Sequence, residues 1–522
     1  MILRPYQADA IDGIYDYFAV KAGHPIVVIP TAGGKSLVMA AFIRGVLQQW
    51  PDQRIVVVTH VKELITQNYS ELMSIWPEAP AGIYSAGLGR RQIMARVLFA
   101  GIQSIHRLAY AVQQADIVLV DEAHLIPRKS DTMYRGFLKV LAGINPRLKI
   151  IGFTATPFRL DSGMLHEGKH ALFTDIAFEV SVRELIDQGF LCPLISKSAV
   201  TELDVTGVGT SGGEFISSQL QSAVDREEVT RAAVQELVAY GAPRKSWLVF
   251  CSGVEHARHV AQAIQAHGIT CATVFGNTPA HERDRIIASF KRGEIRALAS
   301  MGVLTTGFNA PCVDLIAMLR PTKSAGLYIQ MAGRGTRLAP EKTDCLVLDF
   351  AGNIKRHGPI DEVKPRAPSA GSGAAPIQAC PVCGTHTGAA ARICPHCGHK
   401  FPPPSVTINP AASELPVMSA AAPERLRVSR VLYSRHEKQG GLPSLRVDYD
   451  CGLHRHREWV CFEHDGFPRQ KAASWWRHRA PGRPVPATVD EALAQAKHLR
   501  VPVEIAVRPD GQYMEVVGAR FA

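Results

Sequence analysis

Residues 27–36 read VVIPTAGGKS, and this stretch decides how the first part of the chain folds. An apolar run ends at Pro30, and a loop of small residues then leads to Lys35 and Ser36. A strand that enters a helix through such a loop can bind phosphate, because backbone N–H groups and the helix dipole both favour an anion there. The full phosphate-loop pattern, GxxxxGK(S/T), also requires a glycine where this chain has Ile29. From these residues alone, the stretch is either a nucleotide site or a plain connection between a strand and a helix.

A nucleotide site would use the loop residues in distinct ways. Gly33 and Gly34 would permit a tight turn close to the phosphates. Lys35 would reach the β- and γ-phosphates of ATP, and Ser36 would hold Mg²⁺. The candidate loop residues are Thr31, Ala32, Gly33, Gly34, Lys35 and Ser36.

A second candidate motif is VLVDEAH, residues 118–124, where an apolar run ends in two adjacent acids. Ligands of a doubly wound sheet bind at the carboxyl ends of its strands, which is where these acids would lie. Asp121 is placed to hold the Mg²⁺ that bridges the phosphates, and Glu122 to orient and activate the attacking water. The alternative is a solvated acidic turn.

Two arginines follow a helical pattern in IQMAGRGTRL, residues 329–338. A planar guanidinium stabilises the charge that develops on a transferring phosphoryl group, so Arg334 and Arg337 are candidate catalytic residues. If a second domain supplies them, hydrolysis depends on domain closure. The alternative is a pair of solvated surface residues.

Short β-branched runs alternate with helical patterns from residue 26 to about 195, and this alternation returns from about 228 to 350. Strands separated by helices predict parallel sheets with both faces covered, so we expect an α/β fold of two tandem domains. The predicted strands are 26–29, 54–59, 117–120, 149–153, 247–251, 271–275, 296–300, 315–318 and 345–350. The predicted helices between them are 36–49, 61–74, 255–267 and 281–292.

Changes of composition predict the remaining boundaries. Segments rich in Pro, Ala, Gly and Ser are typical of linkers, and alternating polar and apolar residues near the end predict antiparallel strands. The predicted organisation is 1–195 first α/β domain, 196–227 connecting segment that loops out, 228–357 second α/β domain, 358–377 linker, 378–400 cysteine module, 401–425 linker and 426–522 β-rich accessory domain.

The cysteine module reads CPVCGTHTGAAARICPHCG over residues 380–398. Each of its two CPxCG knuckles can turn two thiolates towards one ion, and four thiolates in a tetrahedral array suit Zn²⁺. The predicted ligands are Cys380, Cys383, Cys394 and Cys397. An iron–sulfur cluster is the alternative. A closed site of four cysteines leaves no open position for catalysis, so its zinc would be structural.

The chain has 522 residues, a formal net charge of +11 and a pI of about 9.1. This charge suits nucleic acid as a partner, and equally a merely basic protein. The start, MILRPYQADA, has no apolar core of a signal peptide, and no apolar run reaches the roughly 18 residues of a membrane span. Eleven cysteines, an odd number, suit a reducing compartment. We therefore expect no membrane partner and a location in the cytoplasm of a bacterium or a phage-infected cell.

With these motifs in place, residues 1–350 resemble the superfamily 2 helicases of the DEAH type. The matching motifs, in the family's order, are LRPYQ, TAGGKS, VVVTHVKEL, GIQSI, VDEAH, GFTATP, VFCSGVEHA, LTTGFNAP and QMAGRGTR. Within the superfamily, HVKEL, TATPFRL and VLTTGF resemble the RadD-type DNA repair helicases. Two departures are Ala32-Gly33, where the usual order is Gly-Ala, and Asn309, where Asp is common.

The resemblance implies two RecA-like lobes with ATP between them, and it identifies further site residues. Gln7 would read the adenine, and Gly307 and Gln330 would join the nucleotide site. Thr154 and Thr156 would couple the loss of the γ-phosphate to lobe movement. Single-stranded nucleic acid would cross both lobes, held through its phosphates by His60, Lys62, Gln103, Ser252, Thr305 and Thr306. Such contacts tolerate any base sequence and weaken as salt rises.

Two stretches of the tail interleave basic residues with tryptophan: HRHREW (454–459) and SWWRHRAPGR (474–483). Aromatic rings can stack on bases while arginines hold phosphates, so these stretches favour a surface for nucleic acid or a protein partner. Alternatively, Trp459, Trp475 and Trp476 belong to the core of a small β domain.

The sequence therefore predicts an ATP-dependent DNA helicase or translocase of DNA repair or recombination. The resemblance suggests a single-stranded DNA-binding protein or a recombinase as partner. Alternative functions are a replication helicase of a phage or prophage, and a nucleic-acid-binding ATPase scaffold that remodels without separating strands. RNA remains open as a substrate.

Overall fold

The computed structural model describes residues 3–128, 132–159, 163–197, 201–211, 214–305, 307–363, 377–379, 386–388, 399, 423–437, 441–452, 454–464, 466–510 and 513–521. The predicted zinc ligands and Thr306 lie outside these residues, as do most of the two predicted linkers. Within the described ranges, no helix is both long and apolar enough to cross a membrane.

The first lobe is built on a sheet of eight strands, parallel except for the short strand at one edge. Their order is Asp175–Glu179, Pro25–Val28, Lys149–Thr154, Ile117–Asp121, Ile55–Thr59, Val97–Gly101, Ala81–Ser85 and Arg90–Arg91. The central strands are apolar along their whole length because helices cover both faces of the sheet. These helices are Pro5–Val20, Lys35–Gln49, Lys62–Ile75, Ile102–Ile105, Ala109–Val112, Met133–Ile144 and Val182–Asp187.

The second lobe has a six-stranded sheet in which every pair is parallel. The strand order is Leu194–Lys197, Cys345–Asp349, Leu315–Leu319, Trp247–Cys251, Ala297–Ser300 and Cys271–Val274. Its helices are Ser217–Val224, Glu227–Gly241, Val254–Ala266, Ala280–Lys291, Ala325–Ala332 and Asn353–His357. The two tandem parallel-sheet lobes predicted from the sequence are therefore present.

The connection between the lobes differs from the prediction. The predicted boundary at residue 195 falls inside strand Leu194–Lys197, which pairs with the second sheet. Segment 196–227 was expected to loop out, yet its Phe215, Leu220 and Val224 are buried in the core of the second lobe. Burial of these apolar side chains outweighs the Ser, Gly and Thr content on which the prediction rested.

The tail forms two antiparallel sheets of three strands each around one core. The first sheet contains Arg430–His436, Ser444–Cys451 and His454–Val460, and the second contains Glu424–Arg427, Glu504–Asp510 and Tyr513–Arg520. Helices Phe467–Arg479 and Val489–Ala494 pack on the same core. Trp475 and Trp476 of the longer helix are buried, whereas Trp459 is 49% exposed. The stretch SWWRHRAPGR therefore supplies tryptophans to the core of the domain, whereas the tryptophan of HRHREW lies at its surface.

Candidate nucleotide site and nucleic-acid contacts

The phosphate loop contains two residues with left-handed backbone. Ala32 has φ of 69° and Gly34 has φ of 79°, a conformation that costs a residue with a Cβ roughly 1–2 kcal/mol. Gly33 lies outside that region, but a Cβ there would be 2.6 Å from Cγ2 of Ile29. The Ala-Gly order therefore places alanine where the backbone is strained and glycine where space is short.

Lys35 is the first residue of the helix that follows the loop. Its Nζ donates a 3.4 Å hydrogen bond to the carbonyl of Ile29 and lies 4.0 Å from Oε1 of Glu122. The Lys35 and Glu122 side chains are only 11% and 9% exposed, so water screens their attraction weakly. Ile29 thus contributes its backbone carbonyl at the position where the pattern expects glycine.

The helix Lys62–Ile75 positions both candidate Mg²⁺ ligands. Asn68 Nδ2 donates to Oδ2 of Asp121 at 2.8 Å, and Gln67 Nε2 donates to Oγ of Ser36 at 3.3 Å. Burial, and then the neighbouring Glu122, raise the pKa of Asp121 to about 6. A carboxylate beside a hydroxyl fits Mg²⁺, which takes one or two carboxylates together with waters and phosphate oxygens.

Sequence reasoning did not identify Asn68. Its side chain comes from the middle of a helix, where an asparagine carries no motif, and only packing of that helix against the sheet brings it to Asp121.

Glu122 has an uncommon backbone conformation, with φ of 54°, at the end of its strand. Burial alone would raise the pKa of its carboxyl group, but the positive charges of Lys35, His124 and Arg334 bring that pKa below its ordinary value. Oε2 of Glu122 accepts no hydrogen bond from the described residues, and Nδ1 of His124 lies 3.4 Å from it. An ionised carboxylate with a free buried oxygen is suited to receive a proton from water.

His124 joins this acid to the next motif. Its Nδ1 lies 3.0 Å from Oγ1 of Thr154, and that hydroxyl also contacts the backbone N–H and carbonyl of Thr156, each at 3.0 Å. The Thr156 N–H can only donate, so Thr154 accepts that bond. A continuous chain of polar contacts therefore runs from Glu122 to Thr156.

Gln7 lies on the first helix and is 3% exposed. Its Nε2 donates to the carbonyl of Gly33 at 3.4 Å, and the hydroxyl of Tyr6 donates to the same carbonyl at 2.8 Å. Both side chains thus support the phosphate loop. Tyr6 was not identified from the sequence, although it precedes Gln7 directly.

The two arginines of the second lobe share one acceptor. Nη1 of Arg334 and Nη1 of Arg337 donate to the carbonyl of Phe308 at 2.7 and 2.9 Å. Burial lowers the pKa of Arg334 to about 9 and that of Arg337 to about 10, so both remain charged at neutral pH. Nε of buried Arg334 has no hydrogen-bond partner in the described part of the chain. These are not the solvated surface residues of the alternative interpretation.

The lobes meet at the phosphate loop. A Cβ at Gly333 would lie 2.6 Å from Cβ of Thr31, and a Cβ at Gly307 would lie 2.7 Å from Cβ of Glu63. Arg283 of the second lobe also pairs with Glu63, at 2.9 Å. Gln330 lies three residues before Gly333 on helix Ala325–Ala332 and is half-buried. The candidate residues of both lobes therefore line one cleft.

The predicted strand contacts fall into two groups. His60, Lys62 and Gln103 are exposed together at one edge of the first lobe, where Nε2 of Gln103 donates to the carbonyl of His60 at 2.9 Å. Ser252 and Thr305 are buried, and their hydroxyls donate to the carbonyls of Leu319 and Gly302 at 2.9 and 2.8 Å. The second pair is not presented to a strand in this conformation.

Comparison with known proteins places the chain among helicases. The family model described as "Type III restriction enzyme, res subunit" matches residues 1–159, and "Helicase conserved C-terminal domain" matches residues 230–339. The "Putative ATP-dependent helicase IRC3" of Saccharomyces cerevisiae is 29% identical over 67% of this chain and 52% of that protein. The chain therefore spans about half the length of this relative.

Two solved structures share the fold. One is a fragment titled "a putative HsdR subunit of a type I restriction enzyme" from Vibrio vulnificus YJ016, with a TM-score of 0.54, 20% identity, and coverage of 70% of this chain and 67% of that chain. The other is the "ATP-dependent Type ISP restriction-modification enzyme LlaBIII bound to DNA", with a TM-score of 0.50, 15% identity, and coverage of 67% and 28%. With both motor models matched in order, the chain belongs to the superfamily 2 helicases, a family of ATP-hydrolysing enzymes.

Proposed function

We propose that this protein is a DNA helicase or translocase that hydrolyses ATP to move on or remodel DNA. The observation that carries the proposal is the shared cleft. Lys35 and Glu122 of one lobe face Arg334 of the other, close enough for Arg334 to lower the pKa of Glu122. Such an arrangement is complete only when both lobes are present, as a motor driven by lobe closure requires.

The residues of the cleft have separate tasks in hydrolysis. Lys35 binds the β- and γ-phosphates, and Ser36 and Asp121 hold Mg²⁺, which supplies positive charge to the phosphate oxygens. Glu122 accepts a proton from the water whose oxygen attacks the γ-phosphorus. The bond to the β-phosphate oxygen breaks, and its electron pair leaves with ADP. Arg334 stabilises the charge on the transferring group.

Thr154 and Thr156, the predicted coupling residues, are connected to the nucleotide site. The connection runs from Glu122 through His124 to Thr154 and Thr156. Loss of the γ-phosphate changes the charge that Glu122 faces, and this change reaches the Thr154–Thr156 turn through the 3.4 Å contact of Glu122 with His124 and the hydrogen bonds beyond it. Lobe movement then shifts a DNA strand held at the exposed His60, Lys62 and Gln103.

The role in DNA repair, and a single-stranded DNA-binding protein or recombinase as partner, rest on the resemblance to RadD-type helicases. The four cysteines of the CPxCG knuckles carry the proposal of one structural zinc ion. Metal analysis of the purified chain should find one zinc per chain, lost when Cys380 and Cys383 become serine. Iron in place of zinc would establish the cluster alternative.

Steady-state ATP hydrolysis tests the proposed function. Rates are measured for the protein alone and with single-stranded DNA, duplex DNA or RNA, with Glu122→Gln as the control for contaminating ATPases. Strong stimulation by DNA and not by RNA is expected. Equal rates with and without every nucleic acid would contradict a DNA-driven motor, and stimulation by RNA alone would reassign the substrate.

A further inference from the structure

The first sheet of the tail domain has one face that the motor does not use. Strand pairing places the side chains of alternate residues on this outer face, opposite the core. The outer sheet face is defined by Arg430, Leu432, Ser434, His436, Ser444, Arg446, Asp448, Asp450, Arg455, Arg457 and Trp459. The opposite face supplies Leu445, Val447 and Tyr449 to the domain core.

Attachment of the domain to the motor leaves the outer sheet face accessible. The domain meets the first lobe through its long helix, where Oγ of Ser474 contacts Oδ2 of Asp9 at 2.6 Å. A buried ion pair between Arg508 and Asp187, at 2.7 Å, joins the second sheet to the same lobe. The outer sheet face therefore lies on the solvent side of a domain that is fixed to the motor.

Arginines outnumber acids on this face, and the acids fix arginine positions. Asp448 accepts from Arg446 and Arg457 at 2.9 and 3.1 Å, and Asp450 accepts from Arg455 at 2.6 Å. A guanidinium has five N–H donors, so each paired arginine keeps donors for a further acceptor. Arg430 is exposed and forms no ion pair with any described residue. The face therefore presents ordered donors and excess positive charge to an anion.

Trp459 lies at the edge of this arginine group and remains 49% exposed. Its ring centroid is 6.2 Å from that of His436, with the planes inclined at 58°. The other two tryptophans of the domain are buried, so core packing does not explain the position of Trp459. An exposed indole beside ordered arginines is the arrangement that binds single strands, in which a base stacks on the ring while phosphates contact guanidinium groups.

We propose that the outer sheet face is a second binding site for single-stranded nucleic acid, in addition to the track across the lobes. A base stacks on Trp459 next to His436, and the backbone phosphates run over Arg457, Arg455 and Arg430. Duplex interiors bind weakly here, because a base pair stacked on both sides exposes no face to the indole, and a blunt duplex offers only its two terminal pairs. The site holds the strand on the motor throughout the nucleotide cycle, since it lies away from the ATP cleft.

Fluorescence anisotropy of labelled dT20 and rU20 with the full chain, without nucleotide, tests this proposal. Trp459→Ala should raise the Kd for single strands about tenfold, whereas Trp459→Phe, which keeps an aromatic face, should raise it about threefold or less. The Kd for a blunt duplex should change by less than about twofold. Trp50→Ala is the matched control, because Trp50 is also 49% exposed but lies on the first lobe.

Charge is tested separately. Arg430→Glu should weaken dT20 binding and reduce the dependence of the Kd on salt, whereas Arg231→Glu, at an exposed position of helix Glu227–Gly241 in the second lobe, should do neither. Equal affinities of Trp459→Ala and Trp50→Ala would overturn the proposal. Basal ATP hydrolysis should be unchanged in all these variants, so failure of the proposed ATPase function would be seen independently of strand binding.

Discussion

The two walls of the nucleotide cleft are stabilised in different ways. On the first lobe, side chains hold side chains: Asn68 binds Asp121, and Gln67 binds Ser36. On the second lobe, Arg334 and Arg337 depend on one backbone carbonyl, that of Phe308. The first wall is therefore braced by its own side chains, whereas the two arginines of the second wall share a single backbone carbonyl and keep other N–H donors for a phosphate.

Because of this difference, we expect the side chains that move during the nucleotide cycle to be the arginines of the second lobe. Among the described residues, the buried Nε–H of Arg334 has no hydrogen-bond partner, which costs free energy in the present state and favours a shift of this arginine towards an anion. The carbonyl that holds both arginines belongs to Phe308, which follows Gly307 at the contact with Glu63 of the first lobe. A shift of the arginines and sliding of the lobes are therefore expected to occur together.

The largest effect is expected from Arg334→Ala. Loss of an arginine that stabilises the transferring phosphoryl group should lower kcat about 10³-fold, with nucleotide affinity nearly unchanged. Arg334→Lys should not restore the rate, because an ammonium group cannot replace the guanidinium geometry. Single-turnover hydrolysis and nucleotide titration separate the two quantities. A mutant with normal kcat and a raised KM would show that Arg334 binds the ground state instead.

Glu122→Gln should lower kcat by roughly 10²–10³-fold, because the amide cannot accept the proton of the attacking water. Its ATP affinity should be equal to or higher than that of the unmodified chain, since a buried negative charge near the phosphates is removed. Equilibrium titration with ATP and initial rates provide the comparison. Lys35→Ala serves as the contrasting variant, which should lose binding itself. Turnover by Glu122→Gln at the rate of the unmodified chain would remove this residue from the base role.

Asn68→Ala tests whether Asp121 needs the hydrogen bond from Asn68 to bind Mg²⁺. Removing the 2.8 Å hydrogen bond to Asp121 should raise the Mg²⁺ concentration required for half-maximal activity by about tenfold, as expected for residues that orient a metal ligand. The effect on kcat at saturating Mg²⁺ should be small. An unchanged Mg²⁺ requirement would indicate that Asp121 is held adequately by the backbone N–H of Glu122.

These contrasts also show what the sequence could reveal. Glu122 follows an apolar strand directly and Lys35 follows one through a short loop of small residues, so strand position and residue type were sufficient to predict both at one edge of the sheet. Asn68 reaches Asp121 only through tertiary packing, and no local pattern marks it. Ser252 follows a strand in the same way as Glu122, but its hydroxyl donates to the carbonyl of Leu319 within the lobe. Helix Phe467–Arg479 was missed because its paired tryptophans and arginines gave no helical periodicity, and core packing decides its fold.

The smallest effect on stability is expected from single substitutions at the Ala32-Gly33 pair of the phosphate loop. Ala32→Gly removes the strain of φ at 69°, but it also gives the unfolded chain more freedom, so the free energy of unfolding should change by less than about 1 kcal/mol. Gly33→Ala places a methyl group 2.6 Å from Cγ2 of Ile29 and should cost about 1–3 kcal/mol. Denaturant titrations measure the free energy of unfolding of both variants, and equilibrium titrations measure their affinity for ATP. Nucleotide binding should survive Ala32→Gly and weaken in Gly33→Ala. The reverse order would mean that the loop takes a different backbone path when phosphate is bound.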